Sequence, residues 1–546
     1  MSGGGLPGDA ARAGAVLELR GLSLHDGERF YVEKASLRLE AGEVLAVTGD
    51  PGAGKSLLLR ALAGLTPAGL RREGHARVSG RAALAVANPA LAPELPLEHQ
   101  FAELLSATAG LDPEAARVRA AAALDRMGAP SPAKLLDLPP RALTDALRWR
   151  AALALAMAGG PALLLADAPG AALDPTVRAE LLARLAGWAR EAGVALLLAG
   201  RPEDGVDGPA DRVLALERGR LGPPAPAPAV AHAAQHPSGP PVLSARDLSV
   251  AFPLGDGRVL TAVEGVSFGV ARGETLALLG ETGSGKAVLA RALARLAPVS
   301  GGRVTWMAQD LARAGDEMRR DIQLLFPHPA AALDPLMTVG AQLTQLLKRL
   351  RPDIPAGRRP AQIGRALERA GLPAATGGRY PGALTPEEAA RAGLARALVT
   401  EPRLLIGDEP AGTLSGAARE AFLARLLRLQ EEEGVSLVLA TQDAGTGLRV
   451  AHRALVLAGG RVVEAADAAV LADGARHPYS RALVAAARGE RPGLLPGEAQ
   501  GRQEAGCPVR ARCPSARGAC AEAMPPLEEV APGHWVACHG PEPGQI

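Results

Sequence analysis

The apolar positions fall into two recurring patterns. Short unbroken runs such as Glu43-Val44-Leu45-Ala46-Val47-Thr48 read as strands buried on both faces, and Leu57-Leu58-Leu59-Arg60-Ala61-Leu62 reads as the helix that follows one. The most apolar stretch, Ala151 to Ala166, is split by Gly159-Gly160-Pro161 and ended by Asp167, so it predicts a helix and then a buried strand. No run reaches the roughly 18 unbroken apolar residues of a membrane span. The same strand–turn–helix unit returns later. Glu274-Thr275-Leu276-Ala277-Leu278-Leu279 leads into a Gly-rich turn and then Val288-Leu289-Ala290-Arg291-Ala292-Leu293. Downstream, Ala162-Leu163-Leu164-Leu165-Ala166-Asp167 recurs as Arg403-Leu404-Leu405-Ile406-Gly407-Asp408. Two markers kept in order and nearly in spacing imply a duplicated α/β domain.

Composition agrees with this. The chain has 546 residues, 48% of them apolar and 22% charged, enough to build large cores. Aromatics are only 2%, so Leu, Ala and Val must fill those cores. The formal charge of +2 gives no global field for nucleic acid or anionic lipid. The N-terminus, Met1 to Gly8, lacks a signal-peptide pattern, and a soluble cytoplasmic protein is expected. The Pro-rich stretch from Gly222 to Pro241 reads as an extended linker, and periodicity fades after about residue 500. The resulting division is a first domain at 1–220, a linker at 221–241, a second domain at 242–500 and a Cys-rich appendage at 501–546.

The turns carry the chemistry. Gly49-Asp50-Pro51-Gly52-Ala53-Gly54-Lys55-Ser56 fits G-x-x-x-x-G-K-[ST] between a strand and a helix. In that pattern backbone N–H groups turn toward phosphate, the lysine neutralises it, and the hydroxyl holds Mg²⁺. Two of the chain's five lysines occupy the motif position. The second copy, Gly280-Glu281-Thr282-Gly283-Ser284-Gly285-Lys286-Ala287, has Ala287 where the hydroxyl belongs, so Mg²⁺ there loses one direct ligand. Asp167 and Asp408, at the ends of buried strands, are candidates for the further Mg²⁺ contact. Glu409 follows Asp408 and is placed to orient or deprotonate an attacking water, whereas Ala168 follows Asp167 and cannot. The first copy should therefore bind far better than it cleaves, since losing a general base costs about 10²–10⁴ in rate.

All four cysteines, Cys507, Cys513, Cys520 and Cys538, lie in the last forty residues. That set can ligate Zn²⁺ or an iron–sulfur cluster, and its spacing is not that of a C-x₂-C zinc ribbon. His534 and His539 flank it, and a reducing compartment disfavours disulfides.

Together these segments resemble the tandem ATP-binding subunits of ABC importers of the dipeptide/oligopeptide (nickel) type. The resemblance rests further on Arg272-Gly273-Glu274, on Ala332-Leu333-Asp334-Pro335 with Met337-Thr338-Val339-Gly340, and on Arg476-His477-Pro478-Tyr479-Ser480-Arg481-Ala482-Leu483. The cysteine tail is its most family-specific part. It implies two tandem P-loop NTPase (ABC ATPase) domains with ATP and Mg²⁺ as cofactors. Phe252 is similar to the aromatic that stacks on adenine, where the first copy has His25-Asp26. For the tail it implies a [4Fe–4S] cluster, with zinc as the alternative. The implied partners are transmembrane permease subunits and, indirectly, an extracytoplasmic solute-binding protein, with no nucleic acid. The implied place is the cytoplasmic face of the membrane.

The chain also departs from the family pattern. The Leu-Ser-Gly-Gly-Gln-like signature corresponds to Leu143-Thr144-Asp145-Ala146-Leu147 and Leu384-Thr385-Pro386-Glu387-Glu388. The second of these predicts a self-capped helix start, with Thr385 as N-cap and Glu388 closing a capping box. Its carboxylates would sit at the positive helix end that a phosphate should use. The linking-loop glutamines correspond to Ala87 and Pro327, and the switch histidines to Arg201 and Gln442. Gly412-Thr413-Leu414-Ser415 lacks the aspartate kept in Ala172-Leu173-Asp174. In the family the two domains pair head to tail, so one site would join Lys55, Ser56 and Asp167 to Thr385–Glu388. The other would join Lys286, Asp408 and Glu409 to Thr144–Leu147. Two functions follow as expectations: an ATPase energising uptake of dipeptides, oligopeptides or similar solutes, or a hydrolysis-impaired nucleotide-binding scaffold.

Overall fold

The computed structural model describes residues 15–86, 91–224, 237, 239–254, 258–329, 332–414, 416–490, 493–494 and 505–540. Ala87, Ser415, residues 1–14 and most of the Pro-rich segment lie outside the described residues. The chain divides into two compact units, Met1–Leu173 with Glu180–Pro226, and Asp174–Ala179 with Ala227–Ile546.

In the first unit, six strands form the central sheet in the order Ala82–Ala85, Leu163–Asp167, Ala195–Gly200, Val44–Thr48, Arg212–Glu217, Arg220–Gly222. All neighbouring pairs are parallel except the last, a hairpin. Every residue of Val44–Thr48, Leu163–Asp167 and Ala195–Gly200 is buried, as unbroken apolar runs require of strands covered on both faces. A three-stranded antiparallel sheet, Phe30–Glu40, Ala15–His25 and Arg71–Val78, shares a core with it through Leu17, Leu37, Leu45, Leu58 and Leu165. Helices Leu97–Ala109, Pro113–Arg126 and Asp145–Ala158 lie between strands Ala82–Ala85 and Leu163–Asp167 in the sequence. Arg150, in the last of them, is buried against Glu180 of helix Pro175–Ala192 and also donates to the Met127 and Gly128 carbonyls.

The second unit repeats the plan and extends it. Its central sheet runs Ile322–Leu325, Leu404–Asp408, Ser436–Thr441, Thr275–Leu279, Arg453–Ala458, Arg461–Asp467, and then the tail strands His534–Val536 and Glu528–Ala531. The antiparallel sheet holds Val259–Ala271, Pro241–Pro253, Gly301–Trp306 and Gln309–Asp310. Helices Val339–Leu350, Arg359–Arg369 and Pro386–Leu398 pack around Leu343, Leu367 and Leu394.

Two strands of the cysteine tail, His534–Val536 and Glu528–Ala531, thus form an edge of the second sheet. Glu464, fully buried on strand Arg461–Asp467, fixes the join. It accepts from the Arg476 and His477 backbone N–H groups at 2.7 and 3.0 Å and pairs with His534 Nε2 at 2.7 Å. Among the described residues no helix is long and apolar enough to cross a membrane.

Candidate functional site: two phosphate loops and a cysteine cavity

Both glycine-rich turns lie where a buried central strand passes into a helix, Val44–Thr48 into Lys55–Leu62 and Thr275–Leu279 into Lys286–Leu293. The glycines are obligatory. Gly54 sits at φ 106°, and a Cβ there would lie 2.3 Å from the Tyr31 carbonyl oxygen. Gly285, at φ 98°, would meet the Ala262 carbonyl at 2.6 Å. Lys55 Nζ donates to the Gly49 and Asp50 carbonyls at 2.6 and 2.9 Å, curling the loop around the ammonium. Lys286 Nζ donates to the Glu281 carbonyl at 3.1 Å. Burial pulls both ammonium groups below the usual lysine range, opposed by Asp167 at the first and by Glu409 and Asp408 at the second. Each loop lysine thus stands within electrostatic reach of the strand-end carboxylate assigned to it from sequence.

The residue after each aspartate separates the halves. Ala168 and Glu409 share the same left-handed backbone, at φ 45° and 46°. The Glu409 carboxylate is held by Thr441 Oγ1 at 2.9 Å and the Gln442 N–H at 2.7 Å, and burial raises its pKa above the ordinary glutamate value. Gln442 and Arg201 each follow a central strand, Ser436–Thr441 and Ala195–Gly200. Arg201 is committed to Asp204 at 3.0 Å. Ser56 is the second residue of the first helix, and Ala287 stands in its place in the second. Arg291 donates to Asp408 at 3.3 Å.

The signature positions are helix caps. Thr144 accepts from the Leu147 N–H at 3.4 Å. Thr385 accepts from the Glu388 N–H at 3.2 Å while Glu388 accepts from the Thr385 N–H at 2.9 Å, the capping box its sequence predicts. Glu388 is also paired with Arg379 at 2.6 Å.

Phe252, on strand Pro241–Pro253, packs at the margin of the second core. Sequence reading missed an aromatic pair in the first unit: the His25 and Phe30 rings lie 4.9 Å apart, and Phe30 is exposed beside Tyr31, whose carbonyl abuts Gly54. Adjacent aromatics at 30–31, opening strand Phe30–Glu40, are the available signal.

In the second loop the Glu281 carboxylate is turned toward the tail. Arg512 donates to it through both terminal nitrogens, at 2.7 and 3.3 Å. The Glu281 N–H donates to the Tyr479 hydroxyl at 2.7 Å, and the Thr282 N–H to Asp174 of the same compact unit at 2.8 Å.

The tail cysteines line one cavity, together with His477 and His539. All four are free thiols. Two of the sulfurs accept a backbone N–H, Cys520 from Arg517 at 3.5 Å and Cys538 from Gly540 at 3.2 Å. Burial pushes the Cys507 thiol up to about 11. His477 Nδ1 accepts from the Tyr479 N–H, and its Nε2 is buried with no hydrogen-bond partner. Among the described residues no three His, Cys, Asp or Glu side chains are grouped closely enough to hold a single metal ion.

Fold and loops define a P-loop nucleotide-binding protein built from two consecutive copies of one domain. The family model described as ABC transporter matches residues 32–171 and 263–412, and the chain belongs to that family. It is 30% identical over 558 residues to the glutathione import ATP-binding protein GsiA of Salmonella typhimurium, covering 86% of this chain and 89% of that protein. The protein of the same name from Escherichia coli strain K12 is 30% identical over 564 residues, covering 88% and 90%. Among solved structures, cbiO1 from Clostridium perfringens, part of the ABC transporter complex cbiONQ, gives a TM-score of 0.39 at 23% identity over 43% of this chain and 92% of that one.

Proposed function

We infer that this chain is the ATP-binding subunit of an importer, using nucleotide bound at its two loops to drive transmembrane permease subunits. The observation that carries the reading is the placing of each loop lysine within electrostatic reach of a strand-end carboxylate, in a chain that matches importer ATP-binding proteins over 86% of its length. The loops, Gly49–Ser56 and Gly280–Ala287, bind ATP. Mg²⁺ is held by Ser56 and Asp167 in the first and by Asp408, with water in place of a hydroxyl, in the second. Glu409 is the catalytic base. The first site holds nucleotide and the second turns it over. The relatives' name supports glutathione as solute; we propose that it, or a similar short peptide, is delivered by an extracytoplasmic solute-binding protein. The chain then sits on the cytoplasmic face of the membrane through its permease, with its two domains paired head to tail.

In the tail we propose a [4Fe–4S] cluster on Cys507, Cys513, Cys520 and Cys538. What supports this reading is that all four cysteines line one cavity. A tetrahedral zinc ion, with Zn–S of about 2.3 Å, needs the sulfurs within roughly 3.8 Å of one another. A cluster spreads its four ligands wider, so iron and sulfide content tells the two apart. When bound, the group cross-links the tail. A brown preparation with four irons per chain supports this, and a colourless zinc-loaded one overturns it.

The transport reading is tested in vesicles containing the permease with this chain on the ATP-loaded side. Uptake of labelled glutathione or dipeptide that needs both ATP and the chain, and is lost in Lys286→Ala, is expected. Phosphate release indifferent to permease and solute would refute it.

A further inference from the structure

The second phosphate loop carries a charge that the first does not hide. Asp50, at the second position of the first loop, is exposed, whereas the Glu281 carboxylate at the same position is 1% exposed. A buried carboxylate inside a loop meant to receive a polyphosphate opposes its ligand unless it is neutralised. Neutralisation comes from the tail. Arg512, itself buried, grips both Glu281 oxygens in a fork and also donates to Thr176 Oγ1 at 3.0 Å, while Thr176 bonds Glu281 as well. The turn between Cys507 and Cys513 carries this arginine. It is set by the Cys507 N–H bond to the Cys520 carbonyl, and a Cβ on Gly506 would lie 2.2 Å from that oxygen.

A second connector runs through residues 477–479. His477 lines the cysteine cavity, and two residues on, the Tyr479 hydroxyl takes the Glu281 N–H. One face of the tail thus meets the thiol cavity and another meets the loop.

We propose that the cysteine tail is a working part of the second nucleotide site: Arg512 and Tyr479 are positioning residues that neutralise and fix the Glu281 end of the loop so that it accepts a nucleoside triphosphate. The proposal rests on the reading that this loop binds nucleotide. It makes affinity there, and not at the first loop, depend on the tail.

The test uses the full chain carrying Lys55→Ala, so that titration with a ribose-labelled fluorescent ATP and Mg²⁺ reads the second loop. Arg512→Met is expected to raise Kd at least tenfold. In the Glu281→Gln background, where no charge remains to neutralise, the same substitution should raise it less than threefold. A merely structural arginine would cost the same in both backgrounds. Tyr479→Phe, which removes only the hydroxyl, should raise Kd about threefold or more. An unchanged Kd in Arg512→Met, or an equal loss in both backgrounds with melting temperatures intact, overturns the proposal. Should Arg512→Met alone fail to fold, a tenfold loss in the double variant relative to Glu281→Gln overturns it, and near-equality supports it. If the Lys55→Ala parent binds nothing, nucleotide binding at the second loop falls and takes this proposal with it; a parent that binds while Arg512→Met is silent sinks the proposal alone.

Discussion

Replacing Glu409 by glutamine should remove nearly all ATP turnover from the whole chain, and not half of it. The substitution is close to isosteric. The Gln442 N–H can still find the amide oxygen, while the Thr441 contact must reorganise, a loss of about 1 kcal/mol and no threat to the fold. What disappears is the group able to take a proton, worth about 10²–10⁴ in rate, or roughly 3–5 kcal/mol of barrier. The first half cannot compensate, because Ala168 stands at the same strand end with the same backbone twist and carries no carboxylate. Phosphate release from the chain assembled with its permease, at saturating ATP, is the assay. Fluorescent ATP binding by the same sample shows that both loops remain occupied. A variant that keeps about half the parental rate would refute the reasoning, since it would place a working base in the first half.

The remaining predictions concern the loops and their supports. Gly54→Ala and Gly285→Ala should each abolish nucleotide binding at their own loop, because a Cβ would meet a backbone carbonyl at 2.3 and 2.6 Å; titration of each variant reads this. Turnover should fall on acidification with a midpoint above the ordinary glutamate value, because burial raises the Glu409 pKa and the base is lost as pH drops through it. The linked stability has the opposite sense: protonated Glu409 favours the fold below the unfolded pKa, and that contribution is lost as pH rises through the folded one. Arg150→Met strands the buried Glu180 carboxylate with Arg184 alone, a cost of about 3–5 kcal/mol and a melting point lowered by roughly 6–20 °C in calorimetry. Glu464→Gln leaves one buried N–H without an acceptor, costing about 1–3 kcal/mol, and limited proteolysis should then cut first at the tail.

Local chemistry made part of this legible in the sequence. The loops could be read because backbone packed against Gly54 and Gly285 tolerates no side chain, so the glycine spacing is itself a geometric statement. The capping box at Thr385–Glu388 could be read because its partners lie three residues apart. The grip of Arg512 on Glu281 could not. Its partners are far apart along the chain, and neither type is unusual in a sequence holding 60 Lys+Arg and 58 Asp+Glu. Nothing short of the tail's docking as an edge strand, fixed by Glu464 and His534, brings them together. The tail's composition therefore pointed to metal chemistry and concealed its mechanical connection to the phosphate loop.

That connection bears on why the two halves differ. The first keeps a hydroxyl at Ser56 and an exposed Asp50, and it lacks a base. The second keeps Glu409, lacks the hydroxyl at Ala287, and buries a carboxylate that it must neutralise with a borrowed arginine. A metal grip without a base favours long occupancy, and a base without a full metal grip favours turnover that depends on outside support. Lys55→Ala and Lys286→Ala should therefore fail differently. The first should release nucleotide that otherwise survives rapid gel filtration while sparing the intrinsic chemistry of the second loop. The second should leave that nucleotide in place and stop phosphate release. Equal loss of both properties in both variants would mean that the halves do not divide the work, and that the contrast between Ala168 and Glu409 carries no function.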